Sequence, residues 1–133
     1  MNDGFGFGKK GEEITADFLR KHGFIIFKRN YHSRFGEIDI IAEKDDLLVF
    51  VEVKTRFENA LVSGAEAVNY RKRDNIRMTA KDFVSKNYMD YCCRYDVSEI
   101  TVKIEDGKYK YNLNYIKNSP KVNTNRKILQ KCN

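Results

Sequence analysis

Gly36-Glu37-Ile38-Asp39-Ile40-Ile41-Ala42-Glu43, then Lys44-Asp45-Asp46, then Leu47-Leu48-Val49-Phe50-Val51-Glu52-Val53-Lys54-Thr55 follow one another in mid-chain, and their order decides the fold. Residues 37–43 read as a strand, 44–46 as a turn and 47–55 as a second strand, so the stretch predicts a hairpin. In the first strand, simple alternation sets Glu37, Asp39 and Ile41 on one face and Ile38, Ile40 and Ala42 on the other. The second is apolar on both faces from Leu47 to Val51, the pattern of a central strand covered above and below. Glu52 follows directly, and a carboxylate there is costly to bury unless a proton, a cation or several donors satisfy it.

Upstream, Ile14, Phe18 and Leu19 lie at helical spacing between Gly11 and Lys21, with Glu12 and Glu13 suited to a first turn and Gly23 to a stop. Phe24–Phe27 reads as a short strand, and Lys28-Arg29-Asn30 leads into a loop ending at Phe35-Gly36. Residues 4–8 (Gly-Phe-Gly-Phe-Gly) read as a flexible leader. Gly6-x-Gly8-x-x-Gly11 matches the dinucleotide-binding pattern but lacks the preceding strand that such a site requires. Downstream, 56–64 is a polar loop, and Ala65, Val68, Ile76, Ala80, Phe83 and Val84 predict a helix over 65–87. Two further strands, Tyr95–Ile104 and Tyr109–Tyr115, are joined by an Asp106-Gly107 hairpin turn. The expectation is an α/β domain in the order α-β-β-β-α-β-β over residues 1–117, with an extended or disordered basic tail over 118–133 that holds the only proline, Pro120.

Composition narrows the function. At 133 residues the chain suits one domain, and 41% hydrophobic with 33% charged residues favours a soluble globular protein. The longest apolar runs are too short to span a bilayer, and the first residues resemble no secretory signal, so no membrane role and a cytoplasmic location are expected. The three cysteines form no CxxC pair; Cys92-Cys93 reads as two small residues near a helix end, and no zinc site is predicted. A net charge of +6 points to a polyanionic partner.

Alternation places Glu52 and Lys54 on one side of their strand, and the hairpin can bring Asp39 to the same end of the sheet. Two carboxylates about 4 Å apart repel by roughly 4 kcal/mol at an effective dielectric near 20. A divalent cation relieves that repulsion, and an oxygen set of Asp39, Glu52 and the Val53 carbonyl favours Mg²⁺ or Mn²⁺. Such an ion polarises a phosphoryl oxygen and acidifies water, which suits phosphodiester hydrolysis with Lys54 placing the water or offsetting charge. The same three residues also suit a partly exposed ion-pair network at a sheet edge, and the spacing leaves both readings open. Arg71, Lys72, Arg73, Arg77 and Lys81 concentrate positive charge on one helix. They read either as phosphate contacts or as a solvated helix face; Lys54, Arg56 and loop 57–63 stand beside the candidate site.

Gly11-Glu12, Gly23-Phe24, Asn30-Tyr31, Gly36-Glu37-Ile38-Asp39-Ile40-Ile41-Ala42, Val49-Phe50-Val51-Glu52-Val53-Lys54-Thr55-Arg56, Gly64, Ala67-Val68 and Lys72 together resemble the YraN-like family of bacterial proteins. Arg94-Tyr95-Asp96-Val97 is similar to that family's last motif, and the resemblance covers about residues 4–117. It implies a restriction-endonuclease-like fold of the PD-(D/E)XK superfamily, related to archaeal Holliday-junction resolvases, with a central mixed five-stranded sheet flanked by helices. It places Asp39, Glu52 and Lys54 at the positions of the nuclease motif, with Glu12 as an acidic residue that completes such sites and Glu37 as an auxiliary ligand or a surface carboxylate. Otherwise Glu12 reads as a complement to a helix dipole, and Asp96 suits a hydrogen-bonded strand junction as readily as a substrate contact. Thr15 stands where the family pattern has Ala. The function implied is a metal-dependent endonuclease acting on DNA, branched or repair intermediates included, with a non-catalytic nucleic-acid-binding or scaffold protein as the alternative. A homodimer is also implied, since a resolvase needs two sites for two strands.

Overall fold

A computed structural model describes residues 4–60, 70–87 and 92–118, apart from the side chains of 4, 5 and 70–73. Helix α1 (Gly4–Lys21) precedes strands β1 (Ile25–Ser33), β2 (Gly36–Lys44) and β3 (Leu47–Phe57). Helix α2 (Tyr70–Lys86) then leads to β4 (Cys92–Glu105) and β5 (Lys108–Ile116). One sheet runs β1-β2-β3-β4-β5, antiparallel throughout except for β3 and β4. A parallel pair needs a long crossover, and the segment that carries α2 supplies it. This is a restriction-endonuclease-like α/β architecture in the order α-β-β-β-α-β-β.

The apolar run of β3 is continuous because both of its faces are filled. Val49 and Val51 pack with Ile40, Ala42, Ala16 and Leu19 beneath α1. Leu48 and Phe50 pack with Ile38, Ile41, Ala80, Phe83 and Tyr95 beneath α2. Burying one such aliphatic or aromatic side chain contributes about 1.5–3 kcal/mol, so β3 holds the two layers together.

Several boundaries differ from the sequence expectation. The glycine-rich leader is helical, because Phe7 packs edge-on against Phe57 and Tyr109 with ring centroids 4.9 and 5.0 Å away. Tertiary contact outweighs the poor helix propensity of glycine there. Glu12 and Glu13 therefore sit inside the helix, which removes dipole complementarity as the reason for Glu12. The helix stops at Gly23 (φ 88), with Phe24 N–H donating to the Leu19 carbonyl and Gly23 N–H to that of Arg20, a Schellman end that Gly23 predicts.

Strand β1 continues through the polar residues expected to form a loop, since its backbone pairs with β2 as far as Ser33 and Gly36. Cys92 and Cys93 open β4 rather than closing a helix. Asp106 and Gly107 both have positive φ (54 and 73), as the Asp-Gly turn requires. Residues 65–69 of the expected second helix and the tail from 119 onward lie outside the described residues.

Candidate active site

The β1–β2 hairpin changes faces midway. Ile40 and Ala42 pack beneath α1, yet Ile38, two positions before Ile40, packs beneath α2. The switch falls where Asn30 stands opposite Asp39, between the pairs Arg29↔Ile40 and Tyr31↔Ile38. Asn30 has φ 53, a left-handed conformation that asparagine tolerates better than most residues. The simple alternation expected for β2 is thereby overturned: Ile41 is in the core beneath α2, while Glu37 is exposed and pairs with His32 at 3.0 Å.

β2 also parts from β3 here. Their ladder runs from Lys44↔Leu47 to Ile40↔Val51 and stops. The Val53 N–H instead donates to Asp39 Oδ2 at 2.8 Å, so a side chain takes the place of a main-chain acceptor. One residue's N–H and C=O face the same neighbour in an antiparallel ladder, which turns the Val53 carbonyl toward the same gap. Behind it lies a cavity of about 320 Å³ between the diverging strands and α2. Ile38, Phe50, Ile76, Tyr95 and Val97 form its apolar wall, and Glu37, Asp39, Glu52 and Asn75 contribute polar groups.

Burial pushes the Asp39 carboxyl up to about 6, against the opposing pull of the Val53 hydrogen bond, and the charges of Glu12, Glu52 and Glu37 add to the rise. Three carboxylates thus act on a fourth. Glu12 is brought into this field from α1 while Arg29 holds it at 3.5 Å and Glu13 at 2.8 Å. Lys54 follows Glu52 on the same side of β3, and both residues are half-buried.

The profile of the uncharacterised protein family UPF0102 matches residues 11–100, a span that includes Glu12, Asp39, Glu52 and Lys54. The chain belongs to this family. It is 42% identical over 105 residues to the UPF0102 protein of Syntrophomonas wolfei, covering 79% of this chain and 90% of that one. It is 39% identical over 116 residues to a UPF0102 protein of Clostridium perfringens, covering 86% and 93%. Against the UPF0102 protein of Dichelobacter nodosus the identity is 45% over 95 residues, covering 71% and 75%.

The UPF0102 fold distributes the other sequence candidates unevenly. Arg77 is 6% exposed and reaches Asp74 at 3.5 Å, so it lies against the body of the domain rather than on an open helix face. Arg71, Lys72 and Arg73 belong to the start of α2, with side chains outside the description, as are loop residues 61–63. Arg56 lies beyond Lys54 on β3 and is half-buried. Asp96 is a strand junction: Arg94 donates to it through two nitrogens at 2.9 Å each, the Tyr115 hydroxyl at 2.6 Å and the Asn118 N–H at 2.8 Å. The Thr15 hydroxyl bonds to Ser98 at 2.7 Å and to the Gly11 carbonyl at 2.8 Å.

Sequence reasoning misses Arg29 and Asn75. No spacing rule links Arg29 to a helix sixteen positions earlier, and Asn75 gains significance only from the cavity it lines. No helix among the described residues is long and apolar enough to cross a membrane.

Proposed function

We propose that this UPF0102 protein is a PD-(D/E)XK-type endonuclease, dependent on magnesium or manganese, that hydrolyses phosphodiester bonds in DNA, branched or repair intermediates included. The observation that carries the reading is the Asp39 carboxylate, fixed by Val53 N–H where β2 leaves β3, with Glu52 and Lys54 on the adjoining strand. Burial and neighbouring carboxylates make its negative charge costly, and a divalent cation is the partner that reverses this cost.

Among the described residues no three acidic, histidine or cysteine groups form a ready-made metal cluster. Magnesium is commonly held by one or two carboxylates with waters completing its shell, so Asp39, Glu52 and the Val53 carbonyl are a suitable oxygen set. When bound, the ion supplies Lewis-acid polarisation of a phosphoryl oxygen and acidification of water. Lys54 positions the attacking water and offsets charge that develops in the transition state. The apolar wall formed by Ile38, Phe50 and Tyr95 limits competing water behind the site. Glu12 and Arg29 are positioning residues that shape the field at Asp39.

The test is cleavage of labelled four-way-junction and linear duplex DNA with Mg²⁺, Mn²⁺ or EDTA. Metal-dependent cleavage is expected, together with at least a 100-fold loss in Glu52→Ala and Lys54→Ala at near-unchanged melting temperatures. Unchanged turnover in those variants refutes the assignment. A non-catalytic DNA-binding or scaffold role is the second reading, favoured by the engagement of Glu12 with Arg29 and the lack of a ready-made cluster among the described residues. Metal-independent, salt-sensitive binding that survives Glu52→Ala, with no cleavage, selects it.

A further inference from the structure

Helix α2 packs over β2, β1 and the Leu48–Phe50 stretch of β3, so among the described residues it covers only part of its face of the sheet. Leu48, Phe50 and Tyr95 mark that face on β3 and β4, and alternation places Glu52, Lys54 and Arg56 on its continuation. The registers Thr101↔Asn112 and Lys103↔Lys110 extend it across β4 to β5. Asn112, Lys103 and Lys110 are exposed there. Lys103 and Lys110 stand directly opposite each other, a like-charge arrangement that destabilises a ladder and is only partly offset by the Lys103–Glu105 ion pair at 3.3 Å.

The aromatic residues of β5 lie on the other side of the sheet. Tyr109 and Tyr115 meet Phe7 and Phe18 of α1, and Lys10 of α1 lies over the Tyr111 ring at 5.9 Å. Among the described residues this face carries Lys54, Arg56, Lys103, Lys108 and Lys110 against Glu52, Glu99 and Glu105, a cationic excess for phosphates, and β5 presents no ring there on which unpaired bases stack. Single-strand binders use such platforms, whereas a duplex presents only its backbone to a flat polar surface.

We infer that a duplex DNA arm lies along this half of the sheet, running from the Asp39–Glu52 cleft past Lys54 and Arg56 to the Lys103–Lys110 pair. Where the cut falls rests on the nuclease reading; the docking face rests on the sheet's own charge pattern. Val97 pairs with Glu52, and Lys103 lies further along β4 by about 20 Å at roughly 3.3 Å per residue. That length spans about six phosphate steps of one DNA strand at roughly 3.4 Å each.

The experiment measures anisotropy of a fluorescein-labelled duplex over a range of salt concentrations without divalent metal, using the whole chain. Lys103→Gln/Lys110→Gln is expected to weaken binding roughly tenfold near physiological salt and to flatten the slope of log K against log salt by about 1.8, the loss of two phosphate contacts. Lys10→Gln/Lys21→Gln on α1 carries the same charge change away from that face and is expected to bind as the unaltered protein does. Equal losses in both double variants overturn the proposal, as does a single strand of the same length binding as tightly as the duplex. Unchanged binding in Lys103→Gln/Lys110→Gln alongside metal-dependent cleavage refutes the face and leaves the nuclease reading standing. Face-dependent binding with no cleavage under Mg²⁺ or Mn²⁺ supports the face and removes the nuclease reading.

Discussion

Replacing Asp39 by asparagine should make the metal-free protein more stable while removing the cleavage activity proposed above. Burial raises the Asp39 carboxyl from 3.8 to about 6, whereas an unfolded chain returns it to an ordinary aspartate. Between those values the folded protein binds the proton more tightly, so stability falls as pH rises through the window and is lowest above it. At about 1.4 kcal/mol per tenfold change in proton affinity, the penalty at neutral pH is on the order of 3 kcal/mol. Partial exposure reduces the expected gain to about 2 kcal/mol, or roughly 6–10 °C in melting temperature for a domain of this size. The amide in Asp39→Asn still offers an oxygen to Val53 N–H, so the hydrogen bond at 2.8 Å has a neutral replacement. Urea unfolding with EDTA, followed by circular dichroism from pH 4 to pH 8, measures the difference. The variant should nearly match the unaltered protein at pH 4 and pull ahead toward pH 7.5. Added Mg²⁺ should narrow the gap by stabilising only the protein that retains the carboxylate. A variant that is less stable at pH 7.5, or equally favoured at pH 4 and pH 8, refutes the electrostatic account.

Asn30→Val should lower stability by about 1–2 kcal/mol in thermal melts, because φ 53 crowds a β-branched side chain, whereas Asn30→Gly should leave it close to the original. Gly11→Ala places a Cβ into the Thr55 hydroxyl and should cost about 1–3 kcal/mol in urea titration; adding Thr55→Ala should recover part of that loss. Asp96→Ala removes the acceptor shared by Arg94, Tyr115 and Asn118 and should cost about 3 kcal/mol or more, with hydrogen exchange accelerated where β5 meets β4.

The sequence by itself determines the order of elements, the central place of β3, the stop at Gly23 and the Asp106-Gly107 turn. Each follows from a local signal: burial on both sides of a strand leaves a continuous apolar run, and left-handed backbone positions select particular residues. It also brings Asp39, Glu52 and Lys54 to attention through their positions near the ends of two hairpin strands. Only the tertiary structure decides that Gly4–Gly8 is helical, because the rings that hold Phe7 come from β3 and β5. It alone pairs Glu12 with Arg29 and turns Ile38 and Ile40 toward opposite layers at the Asn30–Asp39 step. Periodicity reports which face of an ideal strand is buried. It does not encode where a ladder ends, and the cleft exists because β2 releases β3 after Ile40 and leaves Asp39 to take the next amide.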